Sequence, residues 1–244
     1  LHITLSPDFA PMEFIDSSKD GQEQYVGLDV FLAKYIADYI GVKLVIEPMS
    51  FDACQTAVYT ASVPMSVSGY VWTEERAESY EISDYYYDGD NKIEPVILIR
   101  TADAEKYTSS EDFNGVDIGA QNASLQMQLV TSQLPDANPV AVGDVGTGVL
   151  ELQNGSIEAL AVAKGNAEII MDANPDLVLC PWEFTITEET EAFVILITKG
   201  ETALLNVVNE ALAKAYADGL YGTWYEDAVA LAKSENAAEV SVED

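Results

Sequence analysis

Positive charge is scarce in this chain of 244 residues. Eleven Lys and Arg stand against 42 Asp and Glu, a formal net charge of −31 with the single His neutral. Nucleic acids and anionic lipid surfaces attract proteins mainly through Lys and Arg, so both are excluded as expected partners. Long apolar runs are also missing: the longest, Ala192 to Ile197, falls far short of the roughly 20 residues a bilayer requires, and no membrane span is expected. Cysteine occurs only at positions 54 and 180, which gives neither a disulfide framework nor a CxxC pattern. With His2 and these two thiols as the softer ligands, and no carboxylate run of the calcium-loop type, neither a metal site nor a prosthetic group is expected. Leu1 opens no charged segment followed by an apolar one, which leaves a cytoplasmic protein or one whose targeting segment was removed ahead of it.

What the chain does have is apolar content, 48% of its residues, enough to bury a core in one large or two medium domains. Short apolar strands alternate with amphipathic helices, the rhythm of a parallel α/β architecture. His2 to Leu5 reads as a strand. Gly27 to Ile40 carries Val30, Ala33, Ile36, Ala37 and Ile40 at the spacing of one helical face, with Asp29 as N-cap and Gly41 as the ending glycine. Strands follow at Val42–Ile46 and Met65–Val67, and short helices from Ser50 or Asp52 through Ala57 and over Thr73–Tyr80, the latter with Glu74 and Glu75 where the helix dipole favours them.

The texture changes between Asp84 and Pro95, where tyrosines give way to the polar run Asp88–Asn91, and this reads as a crossover. The alternation then restarts: strands Pro95–Ile99, Val116–Ala120, Pro139–Val142, Ala159–Val162 and Leu177–Leu179, with helices Ser124–Gln133, Gly146–Gln153 and Asn166–Ala173 between them. Pro181 to Glu188 reads as a return connection into strand Phe193–Thr198 and helix Thr202–Ala217. Residues Glu235 to Asp244, small and acidic, read as a flexible tail.

Five local stretches, in order, resemble the extracytoplasmic solute-binding proteins of polar amino-acid ABC transporters. They are Ser6–Asp16 (SPDFAPMEFID), Gly27–Ala33 (GLDVFLA), Pro48–Asp52 (PMSFD), Ser68–Arg76 (SGYVWTEER) and Ile82–Tyr86 (ISDYY), and Asp218, Gly219 and Trp224 extend the likeness towards the end. The resemblance implies a fold like that of type II periplasmic binding proteins: two α/β lobes joined by two hinge crossovers. Lobe 1 would be discontinuous, residues 1–91 with 186–244, and lobe 2 would span 92–185. It further implies a small-molecule ligand, an amino acid or organic acid, held between the lobes by hinge closure. An ABC permease would be the partner, and the location extracytoplasmic, periplasmic or lipid-anchored at a Gram-positive surface. The acidic surface suits a monomer kept soluble outside the cell.

On the same resemblance, Arg76 grips the ligand carboxylate. A guanidinium fork matches a carboxylate bidentately, although the residue alone would also suit an exposed helical Arg paired with Glu75 or Glu78. Arg100, the other arginine, reads as a strand-end surface residue. Phe9 and Phe51 correspond to walls on either side of the ligand side chain, or else to plain core. Ser68, Gly69, Tyr70, Val71 and Trp72 form the clamp, whose backbone at Ser68 and Tyr70 receives a ligand amine while the side chains of Tyr70 and Trp72 can equally pack the lobe. In lobe 2, Gln121, Ser124 and Leu125 mark a strand turning into a helix whose N-terminus favours a carboxylate, with Ser124 as cap.

Three departures from the family pattern bear on the ligand. Val71 stands where Ser or Thr is usual, and Ala123 and Leu125 replace Gly and a hydroxyl residue. Ala163 stands where the family has an Asp for the ligand ammonium, so an α-amino acid would need another partner: Glu13, Asp8 or a backbone carbonyl. Lys164, next to it, faces a second carboxylate or is simply solvated at a helix start. Two other functions stay open. A dehydratase-like enzyme on the same scaffold would draw on Glu13 or Glu183, though no nucleophile and base pair is visible. A ligand sensor that has lost transport would differ only in its partner.

Overall fold

In the computed structural model, which describes residues 1–86, 94–186, 193–234 and 237–238, the chain divides into two compact units. The first begins with β1 (His2–Leu5), three of its four residues buried, then β2 (Phe14–Asp16) and β3 (Tyr25–Val26). Helix α1 (Leu28–Ile40) buries Val30, Leu32, Ala33, Ile36 and Ala37 along one face, and Gly41 ends it at φ 83° with its N–H on two helix carbonyls. The N-cap differs from the expectation. Gly27 holds that position at φ 118°, and Asp29 lies two positions further in, buried in the first turn. An acidic residue in a first turn and an acidic cap look alike in sequence, because both satisfy the positive end of the helix.

β4 (Val45–Pro48) lies parallel to β1, as does β5 (Met65–Val71); between them runs α2 (Phe51–Tyr59). β5 reaches four residues beyond the strand expected at Met65–Val67, so the clamp segment continues a strand instead of forming a loop. Thr73 caps α3 (Glu74–Ser79), its hydroxyl accepting from the Arg76 N–H at 3.2 Å, and β6 (Glu81–Ile82) follows.

The second unit holds β7 (Pro95–Arg100), β8 (Asp117–Gln121), α4 (Leu125–Gln133), β9 (Asn138–Val142), α5 (Val145–Asn154), β10 (Ala159–Ala163), α6 (Lys164–Ala173) and β11 (Leu177–Leu179). Its sheet runs β11-β7-β10-β8-β9, with β8, β9 and β10 parallel and β7 antiparallel to β10. Successive residues of the central strands enter opposite cores. Ile97, Ile99, Ala159 and Ala161 pack on one side with Phe113, Tyr107 and Val130, while Leu98, Leu160 and Val162 pack on the other with Val145, Leu152 and Ile170. A strand covered on both faces must be apolar at every position, which is why β10 reads as an unbroken apolar run.

The chain re-enters the first unit as β12 (Phe193–Ile197), α7 (Thr202–Ala217), α8 (Leu220–Ala232) and β13 (Ala237–Ala238). β12 is antiparallel to β5 and β6, completing the order β4-β1-β5-β12-β6. Helix α8 had no counterpart among the sequence expectations; with Gly222 in its first turn and only Tyr221, Ala228 and Ala232 buried, its periodicity is faint. The crossovers expected around 84–95 and 181–188 run into residues 87–93 and 187–192, outside those described. So does most of the expected tail, except that Ala237 and Ala238 pair with Asp16 and Ile15. Among the described residues no helix is long and apolar enough to cross a membrane.

Gly27 links the start of α1 to the loop after β1. The N–H groups of Leu28 and Asp29 donate to the carbonyls of Pro11 and Met12, and a Cβ on Gly27 would lie 2.2 Å from the Met12 oxygen. Gly27→Ala therefore meets both a disfavoured φ and a backbone collision. It should cost at least about 2 kcal/mol in urea unfolding; a change within experimental error would contradict this packing.

Candidate functional site

Parallel strands put their carboxyl ends at one edge of a sheet, and open α/β sheets bind ligands beyond that edge. In the first unit the loop after β1 carries Phe9, the turn after β4 carries Phe51, and β5 leads through Ser68–Val71 and Trp72 into Arg76. Phe51 opens α2 and stacks on Tyr70 with ring centroids 5.0 Å apart. The Arg76 guanidinium carbon lies 5.4 Å from the Tyr70 ring centre and 5.9 Å from that of Phe51. Its Nη1 donates to the Val71 carbonyl at 2.8 Å and its Nε to Gln55 Oε1 at 3.4 Å.

Arg76 is only 5% exposed, which removes the reading of a solvated helical arginine, although the Glu75 charge still acts on it. Burial draws its pKa down, yet a guanidinium stays protonated throughout the working range. Arg100 is likewise more than a surface residue: it bonds Asp103 and donates to the carbonyls of Leu152 and Ile157, tying β7 to the end of α5. Tyr70 is fully buried with its hydroxyl on Ser66 at 2.8 Å, and Trp72 packs partly buried against the same cluster. Both side chains pack the lobe. Phe9 is half-buried, edge-on to Phe193 at 6.4 Å.

Near its end β5 loses register with β12, so that Val67, Ser68 and Gly69 face Ile195 alone. Gly69 takes φ +56°, and a Cβ there would sit 2.8 Å from the Phe9 ring. Two carboxyl groups hold this bulge from beneath. The Gly69 N–H donates to Asp29 Oδ2 at 2.7 Å, and the Tyr86 hydroxyl donates to Oδ1 at 2.8 Å. Ser68 Oγ donates to Glu13 Oε1 at 2.6 Å and accepts from the Ser6 N–H at 2.9 Å. The second Glu13 oxygen is buried, and a hydrogen bond between the Glu13 and Asp29 carboxyls raises the pKa of Glu13 and lowers that of Asp29. Burial raises the Asp29 pKa to about 6. Burial and then the Asp29 charge push Glu13 well above the carboxylate range. A carboxyl held neutral and bonded to Ser68 offers no counter-charge to an ammonium, which removes Glu13 from the expected substitutes for the missing anchor. Asp8, also buried, accepts from Ser6 Oγ at 2.6 Å.

In the second unit β8 and β10 are parallel neighbours, so Gln121 and Ala163 end at the same sheet edge. Ala123, which departs from the Gly common in the resembling family, takes φ +58°, a conformation that costs a non-glycine residue energy. Ser124 caps α4, accepting from the Met127 N–H at 3.1 Å, and Leu125 begins the helix buried. Ala163 is the N-cap of α6 and offers no side-chain bond. Lys164 follows it, partly exposed, and ion-pairs with Glu94; its N–H also donates to the Glu94 carbonyl at 2.8 Å. That is a second carboxylate facing Lys164, though one from the chain itself. Sequence reasoning missed Asp29, Gln55, Tyr86 and Glu94, because each acts through a partner 20 or more positions away. Only the buried setting of Asp29, an acid on the apolar face of α1, left a trace.

Residues 1–228 match the sequence pattern of the bacterial extracellular solute-binding proteins, family 3. A probable histidine-binding protein of Campylobacter jejuni is 25% identical over 224 residues, 91% of this chain and 82% of its own. Two crystal structures of amino-acid ABC transporter substrate-binding proteins from Streptococcus pneumoniae, both bound to L-arginine, are also similar. One superposes at a TM-score of 0.87 with 27% identity over 96% of each chain. The other superposes at 0.86 with 31% identity over 98% of this chain and 95% of that one.

The buried acids set a pH dependence. Asp29 titrates near 6 when folded and near 3.8 when unfolded, so in that window the folded state binds more protons and stability falls as pH rises. Asp29→Asn removes the titration. Between pH ~4 and ~7 the variant should lose less stability than the wild type in parallel thermal melts; equal slopes would contradict the burial of an ionised Asp29.

Proposed function

The chain belongs to the bacterial extracellular solute-binding proteins, family 3, and has the type II periplasmic-binding-protein fold; on that premise we propose that it captures an amino acid outside the cytoplasm and delivers it to an ABC permease. The observation that carries the reading is Arg76, a buried guanidinium at the carboxyl edge of β5 beside the Phe51 and Tyr70 rings. Such a fork is built to receive a carboxylate, and the rings offer an apolar wall to the remainder of the ligand.

A net charge of −31 enriches cations near the surface, which favours arginine- or histidine-like ligands over acidic ones. That agrees with the ligands named for the similar proteins. With Ala163 in place of an acid and the Glu94 carboxylate, just before β7, ion-paired to Lys164, the ligand ammonium would be met by Asp8 or a backbone carbonyl. An enzyme reading has less support: Glu13 is committed to Ser68, and Glu183 is exposed. The protein would act in a periplasm, or lipid-tethered at a Gram-positive surface.

The test is a thermal-shift screen of ligand-stripped protein against the common amino acids, their deaminated analogues and dicarboxylates. A ligand at 100 times its dissociation constant adds about 2.7 kcal/mol. L-arginine or another basic amino acid should give the largest shift, and Arg76→Ala should abolish it, a loss of about 100-fold in affinity or more. A shift by amine-free acids alone would instead make Ala163 the mark of a different ligand class.

A further inference from the structure

The ligand reading makes no use of two acids that are fully buried in the first unit. Asp29 and Glu13 are fully buried, and sealing ionisable groups from water is costly unless a structural return offsets it. Their bonds converge on two residues. Asp29 takes the Gly69 N–H, which β12 does not pair because the register shifts there, and Glu13 takes the Ser68 hydroxyl. Gly69 sits at a positive φ with the Phe9 ring against it, and Val71, two residues on, holds the Arg76 guanidinium through its carbonyl.

We propose that Asp29 and Glu13 are positioning residues for ligand binding, acting through Gly69 and Ser68 to fix the β5 bulge that orients Phe9, the Val71 carbonyl and Arg76. The proposal rests on the amino-acid reading for its ligand and on the first unit's own geometry for its mechanism. Because an ionised acceptor binds an N–H more strongly than a neutral one, the grip on Gly69 weakens as Asp29 gains a proton near pH 6. The other titratable groups facing the pair are Asp8 from the loop after β1, Tyr70 from β5, Tyr86, and Tyr221 from α8. The three tyrosines named have raised pKa values and stay neutral across this range.

Two measurements test this. Amide hydrogen exchange of ligand-free protein should show Gly69 exchanging about tenfold faster in Asp29→Asn, with the β8 and β10 amides unchanged. For Ser68, Glu13→Ala should loosen the segment while Glu13→Gln, which keeps an acceptor, should not. In calorimetry with L-arginine, whose charge is constant there, wild-type affinity should fall about fivefold from pH ~8 to ~5, and Asp29→Asn should flatten the profile. If Asp29→Asn does not fold, Tyr86→Phe serves: losing one donor to the carboxylate should move the affinity step to higher pH. Unchanged Gly69 exchange, or a pH step surviving Asp29→Asn, overturns the proposal. Absence of L-arginine binding to the wild type alongside the tenfold exchange effect would count against the ligand reading and leave the positioning role standing.

Discussion

The hydrogen bond from the Gly69 N–H to Asp29 ties three elements of the first lobe together at its carboxyl edge. Asp29 belongs to α1, Gly69 to β5, and Tyr86, which holds the other carboxylate oxygen, stacks on Phe193 of β12 at 5.9 Å. Remove the bond and the bulge has an unpaired, part-buried N–H, a defect that costs up to about 1–3 kcal/mol where burial is complete. Beyond the bulge come Tyr70, whose ring supports Phe51, and Val71, whose carbonyl receives Arg76. The guanidinium is thus set by the Val71 and Gln55 oxygens and by the rings of Tyr70 and Phe51.

Much of this was legible in the sequence wherever the signal was local. The period of α1 and its closing Gly41, the Thr73 cap and the Ser124 cap all rest on residues within four positions of one another, and the structure has them as expected. Arg76 was legible only through the order of neighbouring motifs, since its own surroundings, with Glu75 and Glu78 in reach, equally suit an exposed ion pair. Asp29 was misplaced as a cap because the residue that truly caps, Gly27, gives no side-chain signal. The Lys164 and Glu94 pair spans 70 positions, and no spacing rule reaches that far. α8 failed for a different reason: a helix with three buried residues in thirteen carries little amphipathic contrast.

The second lobe shows what the fold retains when side-chain anchors change. Ser124 still caps α4 and leaves its other first-turn N–H groups directed past the helix end. Ala123 keeps the left-handed turn without glycine, and Ala163 ends β10 without an acid. Architecture here depends on strand pairing and two buried cores, which these substitutions do not touch. On the proposed function, ligand choice would depend on the few polar groups at the strand ends, which they do touch.

The central claim is that Arg76 receives a ligand carboxylate. Titration calorimetry of the amino acid that stabilises the protein most, compared with its carboxamide, tests it directly, because the two differ only in that group. The account predicts that the carboxamide binds at least about 100-fold more weakly. Equal affinities would contradict it and move the binding determinant away from Arg76.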